Sequence, residues 1–375
     1  MSGQRRSATP GETRSAAESE TNVTDVTTDP IRWGIVATGK IAHTFAEDLA
    51  LVPDARLAAV GSRSFERAHE FAEDYVETFP GRGPVRAHGS YEELVADPEV
   101  DVVYIASPHG NHLDDARLAL EAGKHVLCEK ALTLTVGDAE EMVRVAAEHD
   151  RFLMEAMWTA CHPGIRALLR RLAAGEFGAP RHVHAELGFR VDADPGSRMF
   201  DPLLGGGALL DMGIYPLTFA HLVLGEAREL SSVMDVRDHP NGRFDMDVSM
   251  VGRYDGGATA TMHASMSSWS SRMASIATDA GRIELEDFHH PSSIRFIPYG
   301  VGSTNDTTVL TEVVEVVPDA PVIGRGYGNE IAEVHRCLRE GLRESPLVPH
   351  AQTLALLRQM ETMLNANGVV YRSAR

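Results

Sequence analysis

An aspartate and a tyrosine stand four residues apart in GGGALLDMGIYPL, residues 205–217. On a helix that spacing puts Asp211 and Tyr215 on one face. A phenol so placed can exchange a proton with a substrate oxygen, while a carboxylate orients a hydroxyl or a neighbouring cation. Gly205, Gly206 and Gly207 read as a tight entry that lets backbone approach a ligand, and Pro216 as a kink beside it. The structural alternative is a buried helix whose two polar groups satisfy each other, so the pair needs a partner elsewhere. Lys130, behind Glu129 in HVLCEK, is that partner. An ammonium group stabilises the alkoxide that develops as hydride leaves carbon, and it lowers the pKa of a nearby phenol. Tyr215 and Lys130 both remain candidates for the group that moves the proton. Asp211 orients a substrate hydroxyl or Lys130 itself.

Those residues need a scaffold, and the first half of the chain describes one. The strand-like segments IRWGIVA, RLAAVGS, VDVVYIAS, HVLCEK and RFLMEAM alternate with amphipathic helices such as IAHTFAEDLAL and VGDAEEMVRVAAEHD. That alternation predicts parallel βαβ units in a doubly wound α/β sheet, whose ligands bind beyond the carboxyl ends of the strands. The first turn holds Ala37, Thr38, Gly39, Lys40, Ile41 and Ala42. Against a G-x-G-x-x-G/A fingerprint Ala37 replaces the first glycine, while Gly39 keeps the second. A residue without Cβ lets the backbone approach a pyrophosphate at the start of the following helix. Ser62 and Arg63 follow the second strand where an acid would favour NAD; a guanidinium there suits a 2′-phosphate, so NADP is expected ahead of NAD. Pro108, His109 and His112 fall where a nicotinamide ribose passes, and Glu129 and Lys130 complete the cofactor set. The two histidines lack a third ligand at metal spacing, and no metal is expected.

Composition bounds the rest. At 375 residues, two domains are the natural expectation. A formal net charge of −19 argues against nucleic-acid or anionic-membrane partners, and no apolar run looks long enough to span a bilayer. Cys128, Cys161 and Cys337 read as free thiols of a reducing cytoplasm. Residues 1–30 are polar and read as a disordered tail; Arg5 and Arg6 have no apolar export segment behind them. The boundaries expected are 1–30, 31–153 and 154–375.

The segment ASPHGNHLDDARLALEAGKHVLCEKAL, residues 106–132, resembles the glucose–fructose oxidoreductase / inositol dehydrogenase (Gfo/Idh/MocA) family. Its fifth strand ends in Glu-Lys-Pro; here Glu129 and Lys130 match and Ala131 replaces the proline. MEAMWTACHPGIRALL, FDPLLGGGALLDMGIYPL and GYGNEIAEVHRCLREGLRESPLVP are similar to its dihydrodiol dehydrogenase / D-xylose dehydrogenase branch. The resemblance implies a C-terminal α+β domain with an open, mainly antiparallel sheet, and homodimers or homotetramers. It matches Asp211 to the family's acid and puts Tyr215 where many relatives carry histidine. The strand-like segments RHVHAELGF, DVSMVGRY, ATATMHASM and GRIELED, with YDGGA as a hairpin turn, agree. Trp158, Arg198 and Phe200 are the expected substrate-pocket residues. His289 and His290 read as ordinary loop residues, and EVHRCLREGLRE as a solvated helix face. The expected activity is NADP-dependent hydride transfer at a secondary alcohol of a sugar, polyol or vicinal diol. A non-catalytic NADP-binding regulator and an NAD-dependent glycosidase are the alternatives.

Overall fold

The computed structural model describes residues 29–192, 194, 196–299 and 312–372. Almost all of the expected tail lies outside the described residues. Short runs rich in β-branched and apolar residues form six strands: β1 (Ile31–Val36), β2 (Ala55–Gly61), β3 (Arg86–His88), β4 (Val102–Ile105), β5 (His125–Glu129) and β6 (Leu153–Ala156). They pair in parallel in the order β3-β2-β1-β4-β5-β6. Every residue of β4 and β6 is buried, as a sheet covered on both faces demands. The covering helices are α1 (Lys40–Leu49), α2 (Phe65–Thr78), α3 (Tyr91–Ala96), α4 (His112–Glu121) and α5 (Val136–Glu148). Ser64, Ser90 and Thr135 cap α2, α3 and α5 by accepting a backbone N–H, each contributing about 1 kcal/mol.

The strand order reverses between β1 and β4, which opens a crevice at their carboxyl ends. Helix α1 is aimed at that crevice by its core contact: Phe45 stacks on Tyr104 of β4 with ring centres 3.7 Å apart. Burying that phenylalanine stabilises the fold by roughly 1.5–3 kcal/mol. The first sheet runs on to Ala156, past the boundary expected at residue 153.

Two helices, α6 (Trp158–Cys161) and α7 (Pro163–Ala173), lead into the second sheet. Its strands are β7 (Pro180–Gly188), β8 (Glu229–His239), β9 (Gly242–Arg253), β10 (Thr259–Ser265), β11 (Ala274–Thr278), β12 (Gly281–Glu286), β13 (Ser293–Pro298) and β14 (Val314–Glu315). Their order is β14-β13-β12-β11-β7-β10-β9-β8, with β7 and β10 parallel and the other pairs antiparallel. Helix α8 (Ile214–Leu224) packs across β7 and β10. The chain then returns through α9 (Tyr327–Arg339) and α10 (His350–Ala366) to the first domain, where Trp33 Nε1 donates to His335 Nε2 at 2.9 Å and Thr353 donates to Glu155 at 2.8 Å.

Two expectations are corrected here. The helical stretch Pro202–Leu224 is long and apolar enough to cross a membrane by length and composition, yet 78% of its most apolar 18 residues are buried. It is apolar all round because protein covers it. Pro216 stands in the first turn of α8, directly after a widened π-helical turn (Leu209–Gly213), which lies where the proline ring would otherwise meet the carbonyl of Met212. The mixed-charge run is only half solvated, since Glu333, His335 and Cys337 point inward from α9. The three cysteines are free and buried.

Candidate active site

The turn after β1 forms the floor of a cavity of about 870 Å³. Ala37 adopts a positive φ of 75°, doing without the glycine that usually supplies this conformation. Gly39 caps α1, and a Cβ built on it would meet nothing within 4 Å. Its bare face therefore borders open space at the positive end of a helix, which is the fit a pyrophosphate requires. Lys40, Ile41 and Thr44 of α1 line this end, with Pro108 and His109 from the loop after β4. Glu129 and Lys130 enter from the end of β5, and the Lys130–Ala131 peptide is cis.

The opposite wall comes from the second domain, through Arg198, Asp211 and Tyr215. Lys130 Nζ donates to the backbone carbonyl of Asp211 at 2.8 Å and lies 3.7 Å from its carboxylate. The same nitrogen sits 5.0 Å from the centre of the Tyr215 ring. Arg198 reaches the Asp211 carboxylate at 3.8 Å. The Tyr215 hydroxyl accepts from Trp158 Nε1 at 3.0 Å, which leaves its own hydrogen to donate. The acid and the phenol thus do not satisfy each other. Each has its own partner, and both face the cavity.

Electrostatics separate their roles. Burial alone would raise the Asp211 carboxyl, but Lys130 and then Arg198 outweigh it and hold the group below the usual carboxylate range. Burial, followed by the nearby Glu129, pushes the Tyr215 hydroxyl well above its ordinary value. Lys130 was expected to depress that phenol; desolvation wins instead, and Tyr215 is a neutral hydroxyl at physiological pH. Burial likewise raises Glu129, against the opposing pull of Lys130 and a hydrogen bond from the Tyr104 hydroxyl.

Not every expected residue converges. Arg63 lies in a separate cavity of about 500 Å³ with Tyr91, Glu92, Asn111, Asp114 and Asp115. Thr38 borders a third, of about 290 Å³, beside Arg67. Among the described residues, Ser62, His112 and Phe200 line none of these cavities. His112 is buried with its nitrogens against the carbonyls of Ser107 and Leu132, and Phe200 packs on Phe244 at 5.5 Å. Burial lowers His109 to about 3 and His112 to about 4, so both rings are neutral. His109 also ties the two walls together, reaching the carbonyls of Lys130 at 2.8 Å and Gly205 at 3.2 Å. The glycine run makes room for protein more than for ligand: a Cβ on Gly205 would fall 2.6 Å from His109, and one on Gly206 2.7 Å from the carbonyl of Arg198.

Sequence reasoning missed several residues on the walls, among them His290, Tyr327 and Arg325. His290 lines the cavity and packs on Trp158 at 5.2 Å, which corrects its reading as an ordinary loop residue. His289, the other half of that pair, packs on Tyr215 at 5.5 Å. Tyr327 stacks on Trp158 at 4.5 Å with the rings 5° from parallel. Its one local signal is the preceding glycine: Gly326 has φ 115°, and a Cβ there would lie 3.1 Å from the Trp158 ring. Arg325 beside it also lines the cavity.

A doubly wound sheet whose crevice meets an amine, an acid and a neutral phenol from a second domain defines a two-domain, dinucleotide-dependent oxidoreductase. Comparison with known proteins narrows that class. Residues 31–157 match the oxidoreductase family with an NAD-binding Rossmann fold, and residues 165–284 match the GFO/IDH/MocA C-terminal domain. The chain belongs to the Gfo/Idh/MocA oxidoreductase family. It is 34% identical over 371 residues to D-xylose 1-dehydrogenase (NADP(+)) of Hypocrea jecorina, covering 91% of this chain and 93% of that one. It is 34% identical over 351 residues to trans-1,2-dihydrobenzene-1,2-diol dehydrogenase of Mus musculus, covering 91% and 98%. In fold it is similar to aldose–aldose oxidoreductase from Caulobacter crescentus complexed with glycerol, with a TM-score of 0.76 at 23% identity over 90% of this chain and 97% of that one.

Proposed function

We propose that this protein is an NADP-dependent dehydrogenase acting on a secondary alcohol of a sugar, polyol or vicinal diol. The observation that carries the reading is the convergence of Lys130, Asp211 and Tyr215 on the cavity that also borders Gly39. The relatives named for D-xylose and for a dihydrobenzene diol support the substrate class, and the first is named for NADP. Arg63 directly after β2, with Ser62 where an acid would select NAD, supports the same cofactor.

A bound nicotinamide supplies the hydride chemistry. The chain supplies the rest. Gly39, Lys40 and Ile41 would hold the cofactor's phosphates at the start of α1, with Pro108 and His109 shaping the neighbouring wall. The Lys130 ammonium stabilises negative charge on the substrate oxygen. Tyr215 donates its proton to that oxygen in the reductive direction; in the oxidative direction only the ionised phenolate accepts the substrate's proton, so alcohol oxidation draws on the small phenolate fraction and rises with pH. Trp158 fixes the phenol oxygen so that its hydrogen points into the cavity. Asp211 keeps Lys130 in place and offers an acceptor, and Arg198 beside it a donor, for a second substrate hydroxyl.

The outer face of the second sheet supports assembly as a homodimer or homotetramer, since Val233 of β8 and Val251 of β9 are 77% and 57% exposed. A cytoplasmic location agrees with the three free cysteines, and the lack of nucleic-acid or anionic-membrane partners with the net charge of −19.

The reading is tested by following cofactor reduction against aldoses, polyols and vicinal diols with NADP and NAD in parallel. Turnover with one of these classes and a preference for NADP is expected. Arg63→Ala should lower kcat/KM with NADP about tenfold while leaving NAD unchanged, since it removes one charge-assisted contact. Cofactor binding without turnover of any class would favour the non-catalytic regulator, and release of free sugar without net reduction would favour the glycosidase.

A further inference from the structure

The cavity is lined by four lysine or arginine side chains among the described residues: Lys40, Lys130, Arg198 and Arg325. Lys130 and Arg198 both lie against Asp211. A dinucleotide brings a doubly charged pyrophosphate to the turn after β1, so the charge left to meet it comes from Lys40 and Arg325. Lys40 opens α1 itself. Arg325 arrives from the far end of the sequence, on the segment that runs into α9.

That segment is fastened to α1 at close range. The backbone N–H of Arg325 donates to both oxygens of the Asp48 carboxylate, at 3.0 and 2.8 Å, and Gly328 N–H donates to one of them at 3.2 Å. Asp48 is buried, and Gly324 (φ 62°) lies so close to it that a Cβ would collide with the carboxylate. The backbone of Arg325 therefore has a fixed position beside the first helix. Its side chain does not. The guanidinium is 63% exposed and meets Glu47, itself 48% exposed, at 3.0 Å. An exposed pair of this kind contributes little and is readily exchanged for a better partner. A phosphate offers charge-assisted, bidentate hydrogen bonds that a solvated carboxylate cannot match.

We propose that Arg325 is a phosphate-binding residue, which leaves Glu47 for the pyrophosphate of the bound dinucleotide and closes the C-terminal segment over the turn after β1. The anchored backbone and the loosely held guanidinium make it a clamp that is pre-positioned at its base and free at its tip. This inference rests on the dinucleotide reading above and adds to it a residue from outside the first domain. Glu47 is its resting partner, so removing Glu47 helps the ligand rather than harming it.

The test is a fluorescence titration of the full chain with NADPH, alongside competition by adenosine 2′-monophosphate, which carries no pyrophosphate. Arg325→Gln should raise the NADPH dissociation constant about tenfold and flatten its salt dependence, with little change for adenosine 2′-monophosphate. Glu47→Gln should tighten NADPH binding about two- to threefold. An unchanged NADPH dissociation constant in Arg325→Gln overturns the proposal, as does an equal loss for both ligands or a weakening in Glu47→Gln. Failure of the unsubstituted chain to bind either NADPH or NADH would remove the dinucleotide reading itself, a result distinct from these.

Discussion

Tyr215→Phe lowers kcat by about 10²- to 10⁴-fold, while the NADPH dissociation constant stays within about twofold of the starting protein. The substitution deletes one oxygen. The ring keeps its packing against His289, and Lys130 keeps its position over the ring face. What disappears is the hydroxyl that accepts from Trp158 Nε1 and donates into the cavity. Because burial and then Glu129 hold that phenol well above its ordinary pKa, it is protonated across the working pH range. In the reductive direction the loss should therefore be nearly independent of pH between about 6 and 9. A phenol that titrated in this range would instead give a loss that varies with pH. Steady-state turnover in the reductive direction, with cofactor binding measured separately, checks the result. A Tyr215→Phe variant with near-normal turnover would remove the phenol from the chemistry.

Lys130→Met has the second large effect, through two routes that can be measured apart. The ammonium that meets developing charge on the substrate oxygen is gone, so kcat/KM falls by about 10²- to 10³-fold. Asp211 also loses the largest opponent of its burial. The pair is almost enclosed, with side-chain exposures of 13% and 12%, so breaking it costs on the order of 3 kcal/mol. The linkage has a definite sign. The depressed Asp211 carboxyl contributes stability above its unfolded pKa and loses it as pH falls through the folded value. Lys130→Met should flatten that acid-side loss, because the carboxyl is no longer held low. Thermal unfolding as a function of pH reads this directly. An unaltered unfolding profile would mean that Arg198 alone carries Asp211.

Much of this arrangement is legible in local sequence, and the illegible parts have a common cause. The parallel sheet, the turn at Gly39 and the end of β5 follow from periodicity and turn chemistry, because each is written within about ten residues. The four-residue spacing of Asp211 and Tyr215 survives even though a π-helical turn, not a regular helix, delivers the acid. What periodicity misses is what packing decides. Tyr327, Arg325 and His290 reach the cavity only because α9 and the β12–β13 loop fold back on Trp158 and α1, and no local pattern announces that return. The reverse error has the same origin. Phe200 and His112 lie near the site in sequence, but core contacts with Phe244 and with backbone carbonyls turn them away. The phenol's proton affinity was misjudged for a related reason: charge proximity is readable from Lys130, whereas the larger desolvation effect depends on how completely Tyr215 is enclosed.

In the proposed reaction one amine and one phenol, from different domains, act on the same oxygen in the same step. A double-mutant cycle on kcat with Tyr215→Phe, Lys130→Met and the combined variant measures it most directly. Groups that act as a unit are strongly non-additive, so the combined variant should be no more than about tenfold slower than the worse single variant. Losses that instead multiply in full would mean that Lys130 and Tyr215 serve separate steps, and would contradict the claim.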